Sequence, residues 1–211
     1  MISATSASLL ALRTKTTSFR TASMGKAPIP EPEVMSTAPL FAVVAAVCIA
    51  ASVGAKGLPD AVKSFLGAAA AFAALEAADE FIPYPIVAGP HAAVAAILFA
   101  APAMPLQKAL VGVLGGHVIA MAVAIGQVMF LPEAAKWAAK TAIVAAAIGA
   151  QKAAGAVHPP ACGVAFVWAT SGQGDPMKGI GPLIGCVILI AVKYGIDALA
   201  GQVAGGKAKT K

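Results

Sequence analysis

The chain has 211 residues, of which 59% are hydrophobic and only 11% are charged, and its mean hydropathy is +0.85. A soluble domain carries about 25% charged residues, so this composition excludes a water-covered globular protein and indicates that lipid is the main solvent. The apolar residues are mostly Ala, Val and Gly in continuous runs, which favours close-packed helices over the short alternating strands of a membrane β-barrel. We therefore predict an all-α, polytopic transmembrane bundle.

Residues 1–30 differ in composition from the rest of the chain. They contain no Asp or Glu, ten Ser or Thr, and four basic residues, Arg13, Lys15, Arg20 and Lys26. Such segments are typical of organelle transit peptides, here of the chloroplast rather than the mitochondrion, and a disordered basic tail is the alternative. The predicted organisation is a transit peptide at 1–30, a transmembrane domain at 31–203 and a basic tail at 204–211.

The two chain ends supply most of the net charge of +6. This distribution indicates targeting and orientation rather than nucleic-acid binding. Because basic segments stay on the side of synthesis, the tail with Lys207, Lys209 and Lys211 is predicted to face the stroma.

The apolar runs predict the helices in chain order. A spanning helix needs about 20 apolar residues, and two runs are clearly shorter. We expect about five or six helices and two short broken or re-entrant segments, one after Pro90 and one after Pro160. The predicted boundaries are 37–53, 62–77, 87–101, 109–131, 134–154, 160–170 and 179–199.

The chain also resembles itself at an offset of 70 residues. The offset aligns the two short segments with each other and the second run with part of the fifth. The identical pairs are Pro90 with Pro160, Val94 with Val164, Ala95 with Ala165, Lys108 with Lys178 and Gly115 with Gly185. Paired, proline-interrupted short segments in two halves are a pointer to the binding site of a secondary transporter, so we predict an internal repeat.

The segment His158-Pro159-Pro160-Ala161 interrupts two long apolar runs. Proline has no backbone N–H and restricts the preceding residue, so a helix must end here and a new one begin. Helix N-termini favour anions, and we expect such N-termini near Ala92 and Ala161.

The three histidines are the predicted site residues. Ionisable groups inside membranes are costly and usually functional, which favours His158 over a mere capping role, and also marks His117 and His91, which directly follows Pro90. Their spacings of 26 and 41 residues form no local metal or haem motif, and only convergence in three dimensions would create one. No nucleophile elbow or Walker motif occurs in the sequence, so we predict no enzyme activity and no cofactor.

Other polar and sulfur-containing residues allow two interpretations each. Three carboxylates end the second run and are predicted to be solvated, with proton coupling as the alternative for the deepest of them; they are Glu76, Asp79 and Glu80. Three lysines beside the breaks are expected to reach the headgroups or to gather an anion; they are Lys108, Lys152 and Lys178. The isolated cysteines are predicted to be buried small hydrophobic residues; they are Cys48, Cys162 and Cys186.

These motifs resemble the HPP family of small integral membrane proteins over roughly residues 60–200. The resemblance rests on His158-Pro159-Pro160-Ala161, on Phe99-Ala100-Ala101-Pro102 with Pro105-Leu106, and on Gly115-Gly116-His117 at a helix start. It implies a transporter, with nitrite as the substrate linked to plastid members, and it carries the signature to His158, Pro159, Pro160, Gly116 and His117. The chain departs from the family pattern at Ala161-Cys162-Gly163, where Gly-Ala is common, and at Gly89-Pro90-His91-Ala92, where Phe-Gly-Ala-Ser is expected.

The functional prediction is a transporter of a small anion, nitrite first, in a chloroplast membrane, the inner envelope being favoured. The predicted substrate-binding residues are His158, Pro159, Pro160, Ala161, His117, Gly116 and His91. The expected partners are the lipid bilayer and the anion, together with further copies of the chain or a larger membrane complex, and not nucleic acid. The alternative is a non-transporting structural subunit of such a complex.

Overall fold

The computed structural model describes residues 36–54, 57–86, 88–100, 104–131, 133–170 and 175–206. The segment expected to be a transit peptide and Lys207, Lys209 and Lys211 of the basic tail lie outside the described residues. Within those residues the chain forms seven helices and no strand, which confirms the all-α helical bundle.

The helices match the predicted runs to within a few residues, except that the last one is longer. They are α1 (Ala38–Gly54), α2 (Asp60–Asp79), α3 (Ala88–Ala100), α4 (Leu106–Phe130), α5 (Glu133–Ala153), α6 (Pro159–Thr170) and α7 (Ile180–Gly206), with a 3₁₀ turn at Pro176–Gly179 leading into α7. Among the described residues, three helices are long and apolar enough to cross a membrane: α2, α4, and α7 with its leading turn. The short α3 and α6 are the two broken segments that the prolines predict.

Successive helices run in opposite directions. Two hydrogen bonds join the region where one helix starts to an antiparallel neighbour. The Ser64 hydroxyl at the start of α2 donates to the carbonyl of Phe99 at the end of α3 (2.7 Å), and the Tyr194 hydroxyl late in α7 donates to the carbonyl of Met104 before α4 (2.6 Å). We name the side at which α2 and α4 begin face A, and the side at which they end face B.

Helix α1 is tied to α2 at face B through one carboxylate. Glu80 accepts hydrogen bonds from the hydroxyls of Ser36 and Thr37, just before α1 begins. These bonds stabilise the charged form and hold the pKa of Glu80 below its ordinary value of 4.5. Glu80 is therefore a structural anchor for α1 at this face.

The 70-residue offset also relates helices in the structure. It carries α2, α3 and α4 onto α5, α6 and α7 with similar boundaries. It also relates buried positions of the two short helices: Val94 with Val164, Ala95 with Ala165, and Leu98 with Trp168. Because each repeat has three helices of alternating direction, the second repeat is inverted relative to the first.

In each repeat, the short helix packs against the third helix of the other repeat. The short helix α3 packs between α2 and α7, whereas α6 packs between α5 and α4. At both places a glycine of the long helix admits the junction before the short helix: Gly115 lies against Ala156, and Gly185 lies against Ile86. These two contacts are again 70 residues apart, so they are repeat-related.

Candidate functional site

The His-Pro-Pro segment forms the junction between α5 and α6. Gly155 turns the chain with a φ of +68°, a conformation that glycine adopts without the strain of a Cβ. Residues 156–158 are non-helical, and α6 begins at Pro159, where proline's fixed φ suits the first helical position. The junction thereby places His158 immediately before α6.

Gln151 holds this junction in place. Its side-chain amide is fully buried; Nε2 donates to the carbonyl of Gly116 (2.9 Å), and Oε1 accepts from the backbone N–H of His158 (3.0 Å). The thiol of Cys162 also lies 3.7 Å from Oε1. Both ends of the amide are thus satisfied, as a buried polar group requires.

Gly116 allows the junction to reach α4. A Cβ at this position would lie 2.6 Å from the Cβ of His158 and 2.9 Å from the carbonyl oxygen of Ala156. No side chain fits there without displacing the junction, so the glycine is required for this close approach.

The three histidines converge into one row. The ring centroids of His91 and His117 are 5.8 Å apart and nearly parallel, and those of His117 and His158 are 5.2 Å apart and tilted by 43°. His91 and His117 have no solvent-exposed surface, and His158 is 4% exposed. The row joins the start of α3, the middle of α4 and the residue before α6, so both repeats contribute to it.

The ring nitrogens of this histidine row differ in their bonding. His91 Nε2 lies 3.0 Å from the carbonyl of Pro182, and His117 Nδ1 lies 2.8 Å from that of Val113, so each of these nitrogens donates. In a neutral imidazole the other nitrogen of His117, Nε2, is then an acceptor. The Nε2 atoms of His117 and His158 are buried and have no hydrogen-bond partner among the described residues.

A π-helical segment, Ala109–Leu114, precedes His117 within α4. Regular α-helical winding begins at Gly115, as expected for Gly115-Gly116-His117 at a helix start, although α4 as a whole starts at Leu106. Val113, the partner of His117, lies in the π-helical segment. Such segments often occur at functional sites, and here the altered winding accompanies the placement of His117 in the row.

The starts of the short helices offer fewer N–H groups than the sequence predicts. Pro159 and Pro160 have no N–H, and the N–H of Ala161 donates to the carbonyl of His158 (3.0 Å). Helix α3 begins at Ala88, so the N–H of Ala92 lies beyond the four that a helix start leaves unpaired. In this conformation the side chains of the histidine row, rather than the backbone at Ala92 or Ala161, present unpaired polar atoms.

The sequence identified the three histidines and Gly116, and the structure brings them together. Pro159 and Pro160 shape the first turn of α6, and Ala161 is buried one turn beyond His158. The 70-residue offset pairs Ala161 with His91, so His91 and His158 are not equivalent positions in the two repeats. Gln151 was not predicted from the sequence. A polar amide within an apolar run was a usable signal of a buried hydrogen-bonding role.

Two of the three lysines meet in a pocket at face A. Lys108 and Lys152 line a space of about 580 Å³ together with Gln107, Gly112, Gly155 and Val157. Its lining includes Val157, the neighbour of His158, but none of the three histidines. Lys178 lies near the start of α7 at the opposite face.

The carboxylates and cysteines have structural partners or surroundings. Asp79 accepts from the N–H of Ile86 (2.8 Å), and Glu80 anchors α1, whereas Glu76 is half-buried on α2. All three cysteines are free thiols, with Cys162 and Cys186 buried and Cys48 half-buried. Within the described part of the chain, no three His, Cys, Asp or Glu side chains are grouped so that they could hold a metal ion.

The fold and the buried histidine row define a multi-pass integral membrane protein with two inverted three-helix repeats. A family model described as the HPP transmembrane region matches residues 53–203, well over half of the chain. The protein therefore belongs to the HPP family, and most of α1 precedes the matched region. No curated protein and no solved structure matches the chain significantly.

Proposed function

We propose that this protein transports a small anion, with nitrite as the leading substrate, and that the histidine row is its binding site. One observation carries the proposal: within the described part of the chain, the buried Nε2 atoms of His117 and His158 have no hydrogen-bond partner, and their rings lie 5.2 Å apart between α4 and the start of α6. A buried polar group without a partner costs about 1–3 kcal/mol, so such a pair is expected to serve a ligand. The resemblance to plastid HPP members supports nitrite.

Anion binding at His117 requires a proton. Its Nδ1–H is committed to the Val113 carbonyl, so only a protonated Nε2 can donate to an anion. The rings of His91 and His158 flank His117 on both sides, and a second positive charge in this row would be repelled by the first. The transporter thus carries one proton with each anion, and uptake increases as the pH on the side of origin falls.

Access to the site requires movement of the junctions. The pocket at face A ends at Val157, so the histidine row is closed from that pocket in the present conformation. Two inverted repeats whose short helices pack against each other's third helices suit alternating access, in which one repeat moves against the other around a central site. Gly155 is a suitable hinge because its backbone tolerates conformations that other residues avoid.

The proposed location is a chloroplast membrane, with the inner envelope favoured. The acid-free, hydroxyl-rich composition of residues 1–30 supports plastid import. Helix α7 ends at face A and leads into the basic tail, which supports an orientation with face A towards the stroma.

A structural membrane subunit is the second candidate. The full burial of the row and the complete set of bonds to Gln151 favour it, since a packing role needs satisfied buried groups. The two unpaired Nε2 atoms favour the transporter.

Nitrite uptake into proteoliposomes tests the proposal. Replacing His158 with Ala is expected to abolish uptake above that of empty vesicles, whereas Val118→Ala, which changes the exposed neighbour of His117, retains it. Empty vesicles correct for passive entry of nitrous acid at low pH. Equal uptake by the wild type and His158→Ala, with both proteins folded, would remove the site, and no uptake by the wild type for any small anion would favour the structural subunit.

A further inference from the structure

We propose that the pocket at face A lined by Lys108 and Lys152 is a vestibule that concentrates small anions next to the His158 junction. This inference rests on the proposed function, because it assigns the mouth of the same pathway. The vestibule lies between the start of α4 and the end of α5, and Val157 connects its wall to His158. Val157 therefore separates an anion in the vestibule from His158, the nearest member of the histidine row along the chain.

Among the described residues, no acidic side chain compensates the positive charge of the vestibule. Neither lysine forms an ion pair among the described residues, and no carboxylate is among the described residues that line this pocket. A second pocket at the same face, of about 600 Å³, also contains two lysines. There Lys63 pairs with Asp60 (3.0 Å) and Lys193 with Asp197 (2.7 Å), so that pocket is nearly neutral.

The repeat-related place at face B lacks one of the two lysines of the vestibule. The 70-residue offset pairs Lys108 with Lys178, but it pairs Lys152 with Ile82. Face B therefore has one lysine at the equivalent place, near an end of the bundle that also carries Asp79, Glu80 and Asp175. Electrostatic attraction of anions is consequently stronger at the vestibule than at the place that the offset relates to it, where only Lys178 corresponds.

Cysteine modification at Val157 tests the vestibule without measuring transport. Val157 is half exposed in the pocket wall, and Val157→Cys in a Cys48→Ala background presents a thiol there, while Cys162 and Cys186 remain buried. The probes are two membrane-impermeant methanethiosulfonates, one with a sulfonate and one with a trimethylammonium group. The protein without Val157→Cys gives the background rate, and Gln107→Cys is the second position if Val157→Cys does not fold.

The sulfonate reagent is expected to react faster than the ammonium reagent. Replacing both Lys108 and Lys152 with Gln should slow the sulfonate reagent about fourfold and accelerate the ammonium reagent by a similar factor, as expected for two unit charges at about 10 Å in water. Lys178→Gln is the matched control from the other repeat and should change neither rate. Millimolar nitrite should protect the cysteine from the sulfonate reagent only when both lysines are present.

Two results would overturn the vestibule. One is a ratio of rates that the double substitution leaves unchanged. The other is an effect of the double substitution on the ratio of rates that is present in phosphatidylcholine vesicles but absent in phosphatidylglycerol vesicles, because the lysines would then serve lipid headgroups; comparing the two proteins within one lipid cancels the surface potential. Failure of nitrite uptake in the wild type would instead contradict the proposed transport, and the reagent rates would still decide whether the pocket attracts anions.

Discussion

The junctions before the two short helices occupy related places in the two repeats, yet their chemistry differs. In both, a side chain near the end of the long helix accepts the backbone N–H of a residue seven positions later: Asp79 from Ile86 and Gln151 from His158. Both junctions also press against a glycine of the other repeat's third helix. The two junctions are thus held by the same kind of hydrogen bond and the same kind of glycine contact.

The difference lies in burial and in the histidines. Asp79 is an exposed carboxylate, whereas Gln151 is a fully buried neutral amide that also bonds α4. His91 Nε2 donates to the carbonyl of Pro182, while His158 Nε2 finds no hydrogen-bond partner among the residues that the structure describes. A charged anchor tolerates water, and a neutral anchor keeps a dry site free of competing charge. The repeat therefore supplies a symmetric frame, and the α5–α6 junction adds His158 to the histidine row.

The largest effect should come from closing the space that Gly116 leaves for the α5–α6 junction. Gly116→Ala forces a Cβ against His158 and Ala156, and overpacking of this kind costs about 1–3 kcal/mol of unfolding free energy. We expect a lower unfolding midpoint in detergent and loss of nitrite uptake, because the junction must move away from His117.

The matched control lies on the same helix. A Cβ at Gly126 meets no atom within 4 Å, so Gly126→Ala should leave uptake intact and stabilise α4 by up to about 1 kcal/mol. Equal behaviour of the two variants would show that the close contact at Gly116 is not required.

Replacing the anchors themselves should cost no more stability than Gly116→Ala. Gln151→Leu leaves the buried N–H of His158 unpaired and should destabilise the protein by about 1–3 kcal/mol. In Asp79→Leu the lost acceptor is an exposed carboxylate, so water can take its place beside the N–H of Ile86 and the cost should stay below about 1 kcal/mol. Unfolding midpoints of the two variants, measured side by side, test this order. If Asp79→Leu were the more damaging, the assignment of the α5–α6 junction as the dry one would fail.

The sequence predicted the helices and the repeat well, because both depend on run length and on proline. The lengths of apolar runs located α1 to α7, and Pro90 and Pro160 located the short helices. The end of the last helix was missed: α7 continues to Gly206, although Gly201, Gly205 and Gly206 are poor helix formers.

The sequence predicted the three histidines as site residues, but it could not predict that their rings lie side by side. His91, His117 and His158 are brought together by packing between repeats, which no local pattern encodes. The π-helical segment before Gly115 and the anchoring role of Gln151 depend on tertiary contacts as well. The N–H groups expected at Ala161 were misjudged because the carbonyl of His158 already accepts one of them.

Nitrogen NMR of the isotope-labelled, untagged protein in lipid tests the central claim most directly. The chain has only three histidines, so their ring signals can be assigned by substitution. We predict that His117 Nε2 carries a lone pair without substrate, and that nitrite converts it to a protonated nitrogen in the wild type but not in His158→Ala. A lone-pair signal that persists at saturating nitrite, in protein that transports nitrite, would contradict binding at the histidine row.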